Sequence, residues 1–419
     1  MAVFRPFRAI RPRPELAARV AALPYDTMNS AEARQRAAGD PLTFLHIDKA
    51  EIDLPEGTGL YDDVVYETAA ANLRRGRDEG VFAQDAQAHF YIYRQTWRGR
   101  TQTGLVGCAA IDDYRNNIIK KHELTHPEKE TDRIRHVTAC NANTGPIFLL
   151  YRDGQGVAAL LDNWCDTHEC ESKFEGPDHA MQEIWPITDE ALTETLQNAF
   201  AATPYLYIAD GHHRCASAYH VGCAKRGACP GFTGEEEFNF FLAVAFPAQQ
   251  LAIMDYNRVV RDLNGLSNAT FLSRLEALFA VEFCAPAGSP YCPEATHTFG
   301  MFLDGKWYKL RARRGSFDAK DPVACLDVEI LQKNLLGPVL GIKDPRRDHR
   351  VEFIGGIRGP EELERRCNPD ANDMRVAFAM FPTTTDELMA IADSGNIMPP
   401  KSTWFEPKLL SGLFIHELE

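Results

Sequence analysis

The sequence lacks a membrane span, a signal peptide and an excess of positive charge. No window of about 18 apolar residues occurs, so no membrane-spanning helix is predicted. The first twenty residues carry arginines and prolines in place of the apolar stretch of a signal peptide, and we therefore expect a cytoplasmic protein. Positive charge is in deficit, with 45 Lys plus Arg against 59 Asp plus Glu, which disfavours broad binding to nucleic acid or to anionic lipid.

The cysteines predict neither a disulfide scaffold nor a zinc knuckle. All eleven are scattered, no Cys-x-x-Cys pair occurs, and the pairs 165/170 and 223/229 are too widely spaced for a standard zinc site. Cys108, Cys215 and Cys325 lie in apolar surroundings. We predict reduced thiols packed in a core.

The residues that are present are typical of a globular α+β protein. Hydrophobic residues make up 45% and charged residues 25% of the 419 positions, which excludes a disordered chain and suits about two to three domains. Helical and strand periodicities alternate irregularly, with hairpin signals at 97–100 and at 304–305. We predict an α+β fold with a mixed sheet and hairpins. The Gly-, Pro- and Glu-rich loop at 229–237 divides it into a core over 1–230 and a C-terminal α+β region over 231–419.

The strongest functional signal is a polar turn between an apolar strand and an amphipathic helix, Asp210-Gly211-His212-His213-Arg214. Gly211 allows a sharp turn, and the free amides at the start of the following helix attract anions. Arg214 can contact phosphate with two donors, and the two histidines can donate protons or hydrogen bonds to a phosphoryl group. Asp210 can hold Mg²⁺ or accept a proton. A satisfied helix N-cap with a surface histidine pair is the alternative interpretation.

A second motif, HELTH at 122–126, matches the HExxH pattern of zinc proteases. Pro127 follows it directly and Lys120 and Lys121 precede it, which disfavours a helix through the motif and a dication beside it. Three interpretations stay open: a zinc site, a structural polar loop before a helix that begins at Pro127, and a catalytic loop without metal.

A third motif at 154–159 has the pattern GxGxxA and follows a predicted strand at 146–151. A dinucleotide site requires a helix directly after such a turn. We predict instead that residues 157–161 form the return arm of a hairpin, which disfavours dinucleotide binding. No GxxxxGK[ST] phosphate loop occurs in the sequence.

Taken together, these segments resemble domain-of-unknown-function family 1015, whose members are often labelled ParB-like. The matching stretches span nearly the whole chain: PYD at 24–26, KKHELTHPEKETDR at 120–133, NANTGPIFLLY at 141–151, YIADGHHRCASA at 207–218, YNRVV at 256–260 and MPPKSTWFEPKLLSGL at 398–413. The turn at 210–214 is similar to the DGxxR-type turn that holds nucleotide phosphates in ParB domains, sulfiredoxins and free-serine kinases. The resemblance implies a ParB/sulfiredoxin-like nucleotide-binding core. Sulfinic acid reduction is not expected, because His212 stands where sulfiredoxin has its catalytic cysteine and Cys215 lies in the buried stripe of the helix.

The resemblance further implies a small-molecule kinase that moves a phosphoryl group from ATP, with Mg²⁺, to the hydroxyl of a small polar substrate, expected to be free L-serine. Glu123 is the candidate base and Asp210 its rival. Magnesium is expected to arrive with the nucleotide, so no dedicated metal site is predicted apart from a role for Asp210. The assigned catalytic residues are Glu123, Asp210, His212, His213 and Arg214. The assigned phosphate contacts are Gly211, Lys121, Lys129, Arg133, Lys401, Ser402 and Thr403, and the assigned substrate contacts are Asn141 and Asn143.

The alternative function is a ParB-like, nucleotide-dependent regulatory or DNA-associated switch without metabolite kinase activity. The acidic balance and the lack of a recognisable helix-turn-helix or basic stripe disfavour it. The residues themselves leave open the acceptor, the oligomeric state and the donor, which could be ATP, ADP, CTP or pyrophosphate. If the kinase hypothesis holds, Glu123, residues 210–214 and residues 401–403 should line one pocket.

Overall fold

The computed structural model describes residues 1–368 and 374–419. Its strands are, in chain order, β1 (Phe4–Arg5), β2 (Ile10–Pro12), β3 (Phe82–Gln84), β4 (Phe90–Trp97), β5 (Arg100–Ala110), β6 (Ile119–Lys120), β7 (Ala142–Asn143), β8 (Ile147–Tyr151), β9 (Ser172–Glu175), β10 (Met181–Ile187), β11 (Leu206–Asp210), β12 (Phe240–Pro247), β13 (Tyr256–Val260), β14 (Phe279–Pro286), β15 (Thr298–Leu303), β16 (Lys306–Ala312), β17 (Val351–Gly355), β18 (Val376–Ala379) and β19 (His416–Glu417). Its α-helices are α1 (Ala17–Val20), α2 (Ser30–Ala37), α3 (Leu45–Asp48), α4 (Asp63–Asp78), α5 (Ile111–Arg115), α6 (Pro127–Cys140), α7 (Val157–Thr167), α8 (Glu190–Ala202), α9 (His212–Ala228), α10 (Asn268–Leu275), α11 (Asp327–Leu331), α12 (Glu361–Arg366) and α13 (Thr385–Ser394). Within these described ranges, none of the helices combines the length and the apolar character that a membrane crossing requires.

The chain divides into two compact units, one formed by Met1–Leu251 with Pro407–Glu419 and the other by Ala252–Glu406. The first unit contains a mixed sheet with the strand order β6-β11-β8-β12-β5-β4-β10-β9, and β1 pairs with β5 beside this path. The pairs β6–β11 and β8–β12 are parallel, whereas β11–β8 and β12–β5 are antiparallel. Apolar side chains of these central strands pack against α7, α8 and α9 in one core. The predicted α+β fold with a mixed sheet is therefore confirmed.

The second unit contains an antiparallel sheet with the order β14-β16-β15-β18-β13-β17. Its β15–β16 hairpin turns at Asp304 and Gly305, as the sequence predicts, and both residues have the positive φ that a tight hairpin turn favours. The sequence also predicts the start of α6 at Pro127, the helix α9 directly after the polar turn and the turn of the β4–β5 hairpin.

The division between the units differs from the boundary predicted at 230 and 231. Strand β12 follows the predicted boundary, yet it is buried along its whole length and pairs with β5 and β8 at the centre of the first unit's sheet. The last residues also return to this unit, because β19 pairs with β7 and Ile415 bridges to Ile10. The polar composition at 229–237 therefore marks a surface loop inside the first unit, and the second unit is inserted between Leu251 and Pro407.

The segment after the GxGxxA pattern is helix α7, so the predicted hairpin arm at 157–161 is wrong. Its buried residues Val157, Leu161 and Trp164 follow helical spacing, which five residues alone could not distinguish from a strand. Asp153 accepts hydrogen bonds from the amides of Val157 at 2.9 Å and Ala158 at 3.0 Å. The Asp153 carboxylate thus accepts from the helix amides that a pyrophosphate would need. Dinucleotide binding is therefore disfavoured by this carboxylate and not, as predicted, by the lack of a helix.

A buried carboxyl in the second unit is expected to make its stability depend on pH. Burial raises the pKa of Asp327 from 3.8 to about 7, although the amide of His297 donates to its Oδ1 at 2.7 Å. An acid with a raised pKa in the folded state keeps its proton while the unfolded chain loses it. The free energy of unfolding should therefore fall as pH rises from about 4 to about 7, by on the order of 4 kcal/mol.

The variant Asp327→Asn should abolish this pH dependence, because asparagine keeps the acceptor oxygen and does not ionise. Urea unfolding over a pH series checks it, with the exposed carboxylate Glu282→Gln as the control that should behave like the parent protein. Equal pH profiles for the parent protein and Asp327→Asn would contradict the prediction.

Candidate functional site

The predicted polar turn lies at the end of β11, inside the first unit. Gly211 has φ +92°, a left-handed conformation that glycine adopts without strain, and its amide donates to Asp210 Oδ1 at 2.8 Å. Helix α9 begins directly afterwards, and the Cys215 amide donates to the Gly211 carbonyl at 2.9 Å. The amides at 212–214 precede this first intrahelical bond, so they are directed toward the turn, where an anion can accept from them.

Replacing Gly211 with alanine should destabilise the turn through its backbone. A Cβ atom would have room, since its nearest neighbour is Ile147 Cα at 3.6 Å, but a non-glycine residue at φ +92° is strained. We expect a loss of about 1–2 kcal/mol in the free energy of unfolding. Gly154→Ala is the matched control, because Gly154 has no positive φ and open space around it. Equal stability of the two variants in urea unfolding would argue against strain at Gly211.

The loop at 121–126 contacts this turn. The backbone amide of His126 donates to Nε2 of His213 at 2.9 Å, across a separation of 87 residues in the sequence. The rings of His122 and His212 meet edge to face with centroids 4.5 Å apart, and Glu123 Oε2 lies 3.8 Å from His212 Nδ1. The structure therefore brings the two strongest sequence motifs together. HELTH itself is not helical, and α6 begins at Pro127 as predicted.

Burial lowers the pKa of three histidines of this junction, His122, His212 and His213. His122 and His212 are only 2% and 4% exposed. Desolvation lowers the pKa of His122 to about 4 and holds the pKa of His212 well below its usual value. Desolvation also lowers the pKa of His213, and the positive charge of Lys129 lowers it further. A neutral imidazole ring has one nitrogen that can donate and one that can accept a hydrogen bond. Glu123, whose side chain is 56% exposed, is the accessible carboxylate.

Asp210 is paired with a lysine that sequence reasoning did not assign. Lys408 Nζ lies 2.8 Å from Asp210 Oδ2. Desolvation would raise the pKa of Asp210, but the Lys408 ammonium outweighs it and lowers the pKa to about 2. A carboxylate with so low a pKa is a weak proton acceptor, which favours Glu123 as the base. The signal for Lys408 was its place in the matching segment 398–413, where Lys401 was selected instead.

Arg214 is directed away from the surface. Its Nη1 donates to the Pro146 carbonyl at 3.2 Å, and its Nη2 lies 3.9 Å from Asp48 Oδ2. Nη2 of Arg214 and Oδ2 of Asp48 are both buried and lack a hydrogen-bond partner in the described part of the chain. Tyr25, of the PYD segment, lies beneath the guanidinium groups of both Arg214 and Arg133. Arg214 thus keeps a charged donor whose hydrogen-bonding capacity is unused.

Arg133 and Asn143 lie close to Arg214 and line the same small cavity of about 20 Å³. The cavity has room for about one water molecule and is too small for a nucleotide. Arg133 pairs with Asp132 at 2.8 Å, which commits its charge to a partner within the protein. Asn143 accepts from the Leu242 amide at 3.2 Å, so its side chain connects β7 to β12.

Three further residues of the first unit were assigned to ligand binding: Asn141, Lys121 and Lys129. Asn141 has φ +51° and ends α6 in the left-handed conformation, a position that asparagine tolerates well. This structural role accounts for Asn141 without a substrate. Lys121 lies over the Tyr114 ring at 4.3 Å, and Lys129 is exposed on the first turn of α6.

Residues 401–403 belong to the second unit. Lys401 has φ +59°, and its carbonyl accepts from Arg258 at 3.1 Å. Ser402 is buried and donates its hydroxyl to the Pro399 carbonyl at 2.6 Å, so this hydroxyl is already engaged. The phosphate-binding role of Lys401, Ser402 and Thr403 stays a prediction.

All eleven cysteines are free thiols. Cys215 is fully buried, and burial raises the pKa of its thiol well above the usual range, so this thiol is a poor nucleophile.

Fold and site together define an α+β protein with an anion-attracting strand–turn–helix and an adjoining histidine and carboxylate loop. The chain belongs to the family described as protein of unknown function (DUF1015), which matches residues 4–329. No curated protein matches it.

Several solved structures are similar to part of the chain. One is SbnI with a C-terminal truncation from Staphylococcus aureus, at 11% identity and TM-score 0.38, covering 73% of this chain and 85% of that one. A conserved hypothetical protein from Pyrococcus furiosus has 14% identity, TM-score 0.35 and coverage of 74% and 94%. A free serine kinase in complex with AMP has 14% identity, TM-score 0.34 and coverage of 74% and 91%. Likeness at this level carries no argument about activity.

Proposed function

We propose that the protein is a small-molecule kinase that transfers a phosphoryl group from ATP to the hydroxyl of a small polar acceptor, free L-serine. One observation carries this proposal: the loop at 121–126 lies against the turn at 210–214, with Glu123 Oε2 3.8 Å from His212 Nδ1. A carboxylate able to accept a proton thus stands beside helix amides able to hold phosphate. Phosphoryl transfer needs this combination of alignment, charge neutralisation and a base, and it needs little covalent chemistry from the protein.

Each group has a role in the proposed transfer. The amides at 212–214 hold donor phosphates, and the Arg214 guanidinium joins them once its side chain leaves the Pro146 carbonyl and turns outward. The acceptor hydroxyl gives its proton to Glu123 while its oxygen bonds to the γ-phosphorus, and the bond to the bridging oxygen breaks so that ADP leaves with the electron pair. His212 and His213 donate hydrogen bonds to the phosphoryl group. Magnesium enters with the nucleotide, bound mainly by phosphates and water, because Lys408 already neutralises Asp210.

The test is a reaction of purified protein with MgATP and a mixture of amino acids. Formation of ADP together with a new phosphomonoester, identified by phosphorus NMR and mass spectrometry as phosphoserine, is the expected result. ADP without a phosphomonoester would favour the nucleotide-dependent switch. No product with ATP, ADP, CTP or pyrophosphate as donor would overturn the proposal.

A further inference from the structure

Three side chains with metal-binding atoms meet where the loop at 121–126 contacts the turn. His122, Glu123 and His212 each offer one ligand atom within 4.8 Å of the others. The group differs from the HExxH arrangement, because its second histidine comes from α9 and not from the motif. His126, the second histidine of the motif, is exposed.

His122 carries a buried nitrogen that a metal ion can use. Its ring is 2% exposed, and the backbone of Ile208 lies near enough to favour a cation there. Nδ1 of the ring is buried and has no hydrogen-bond partner within residues 1–368 and 374–419. An ion can therefore bind Nδ1 without displacing a hydrogen bond of the protein. Neutral imidazole nitrogens are common ligands of transition metals.

His212 offers a second nitrogen under similar conditions. Its ring is 4% exposed, its Nδ1 faces the Glu123 carboxylate, and its Nε2 is buried without a partner in the described residues. The charges around the rings are mixed, with Asp210 favouring a cation and Lys121 opposing it. Ligand atoms that share one tetrahedral zinc lie roughly 3.5 Å apart. The three ligand atoms, which lie within 4.8 Å of one another, must therefore approach by roughly 1 Å when an ion binds.

We propose that His122, Glu123 and His212 bind a divalent transition-metal ion. Two imidazole nitrogens and one carboxylate suit Zn²⁺, Co²⁺ or Mn²⁺ better than Mg²⁺, and three protein ligands leave a position open for water or a phosphate oxygen. The sequence prediction that no dedicated metal site exists is the alternative that the experiment below tests. The metal site shares Glu123 with the proposed phosphoryl transfer, but metal binding requires neither nucleotide nor acceptor, so the two proposals can be tested separately.

The experiment uses the full chain, stripped of metal with a chelator and titrated with Zn²⁺ by calorimetry, and with Co²⁺ by absorption. We expect one ion per chain, with affinity reduced about a hundredfold in His122→Ala and in His212→Ala. His126→Ala is the matched control and should bind like the parent protein. Glu123→Ala changes a side chain that is 56% exposed, so it tests the site if either histidine variant fails to fold.

Three results would overturn the metal site: no saturable binding by the parent protein, unchanged affinity in Glu123→Ala and His122→Ala, or loss of binding in His126→Ala. The last result would instead favour HExxH coordination. A failed kinase assay with saturable zinc binding would refute only the proposed function, and the reverse pattern would refute only the metal site.

Discussion

Arg214→Ala is expected to lower the rate of phosphoryl transfer on the order of a hundredfold or more. Losing one charged contact to the transferring phosphoryl oxygens typically costs about 3 kcal/mol of transition-state stabilisation. Arg214 lies in the first turn of α9, and its Nη2 has unused hydrogen-bonding capacity among the described residues. Initial rates with MgATP and serine measure the effect. Arg214→Lys should recover only part of the rate, because lysine restores the charge without the two-donor geometry.

The matched control is Arg226→Ala on the same helix. Arg226 pairs with both carboxylate oxygens of Asp112 at 2.8 Å, near the opposite end of α9. Its loss removes an arginine and an ion pair from the helix without touching the turn. Similar rates in both variants would show that Arg214 acts only through helix stability, in keeping with its bond to the Pro146 carbonyl.

Glu123→Gln is expected to lower the transfer rate about a hundredfold or more while leaving nucleotide affinity nearly unchanged. The change keeps the side-chain shape and removes the proton acceptor, and general base catalysis typically contributes this much. A base acts on the acceptor hydroxyl and makes no ground-state contact with the donor, so kcat should fall while nucleotide Kd stays constant. Single-turnover rates and calorimetric nucleotide titrations of chelator-treated protein in Mg²⁺ separate the two quantities.

Glu128→Gln provides the control, since Glu128 is an exposed carboxylate five positions further along the chain. Loss of nucleotide binding in Glu123→Gln, with normal turnover of the fraction still bound, would assign Glu123 an electrostatic or metal-linked role. Asp210 would then be the remaining candidate base, despite the low pKa that Lys408 imposes on it. If neither Glu123→Gln nor Arg214→Ala alters transfer, the kinase proposal is wrong.

Local patterns predicted most of the secondary structure, because each signal lies within one element. Predicting the DGHHR turn requires only an apolar strand, a glycine and an amphipathic helix, and these three signals are adjacent in the sequence. The contact of His126 with His213 and the pairing of Lys408 with Asp210 join residues 87 and 198 positions apart. No spacing in a single sequence encodes such contacts. Asn141 ends α6 in the left-handed conformation, a role that its motif did not predict, and its assignment to substrate stays a prediction.

The error in the domain boundary has the same cause. Loop composition at 229–237 is visible in the sequence, whereas the pairing of β12 with β5 and β8 is a property of the folded sheet. The return of residues 407–419 to the first unit depends likewise on the pairing of β19 with β7, two strands of two residues each that carry almost no local signal.

The pairing of Asp210 with Lys408 has a consequence for the order in which the protein is made. The ribosome delivers Asp210 first and must add a further 198 residues before Lys408 is synthesised. At about 5–20 residues per second, this interval is on the order of 10–40 s. During that time the nascent first unit carries the turn with an uncompensated carboxylate, and the inserted unit can fold first. Formation of this ion pair is therefore a late event that a chain stalled before Lys408 cannot reach.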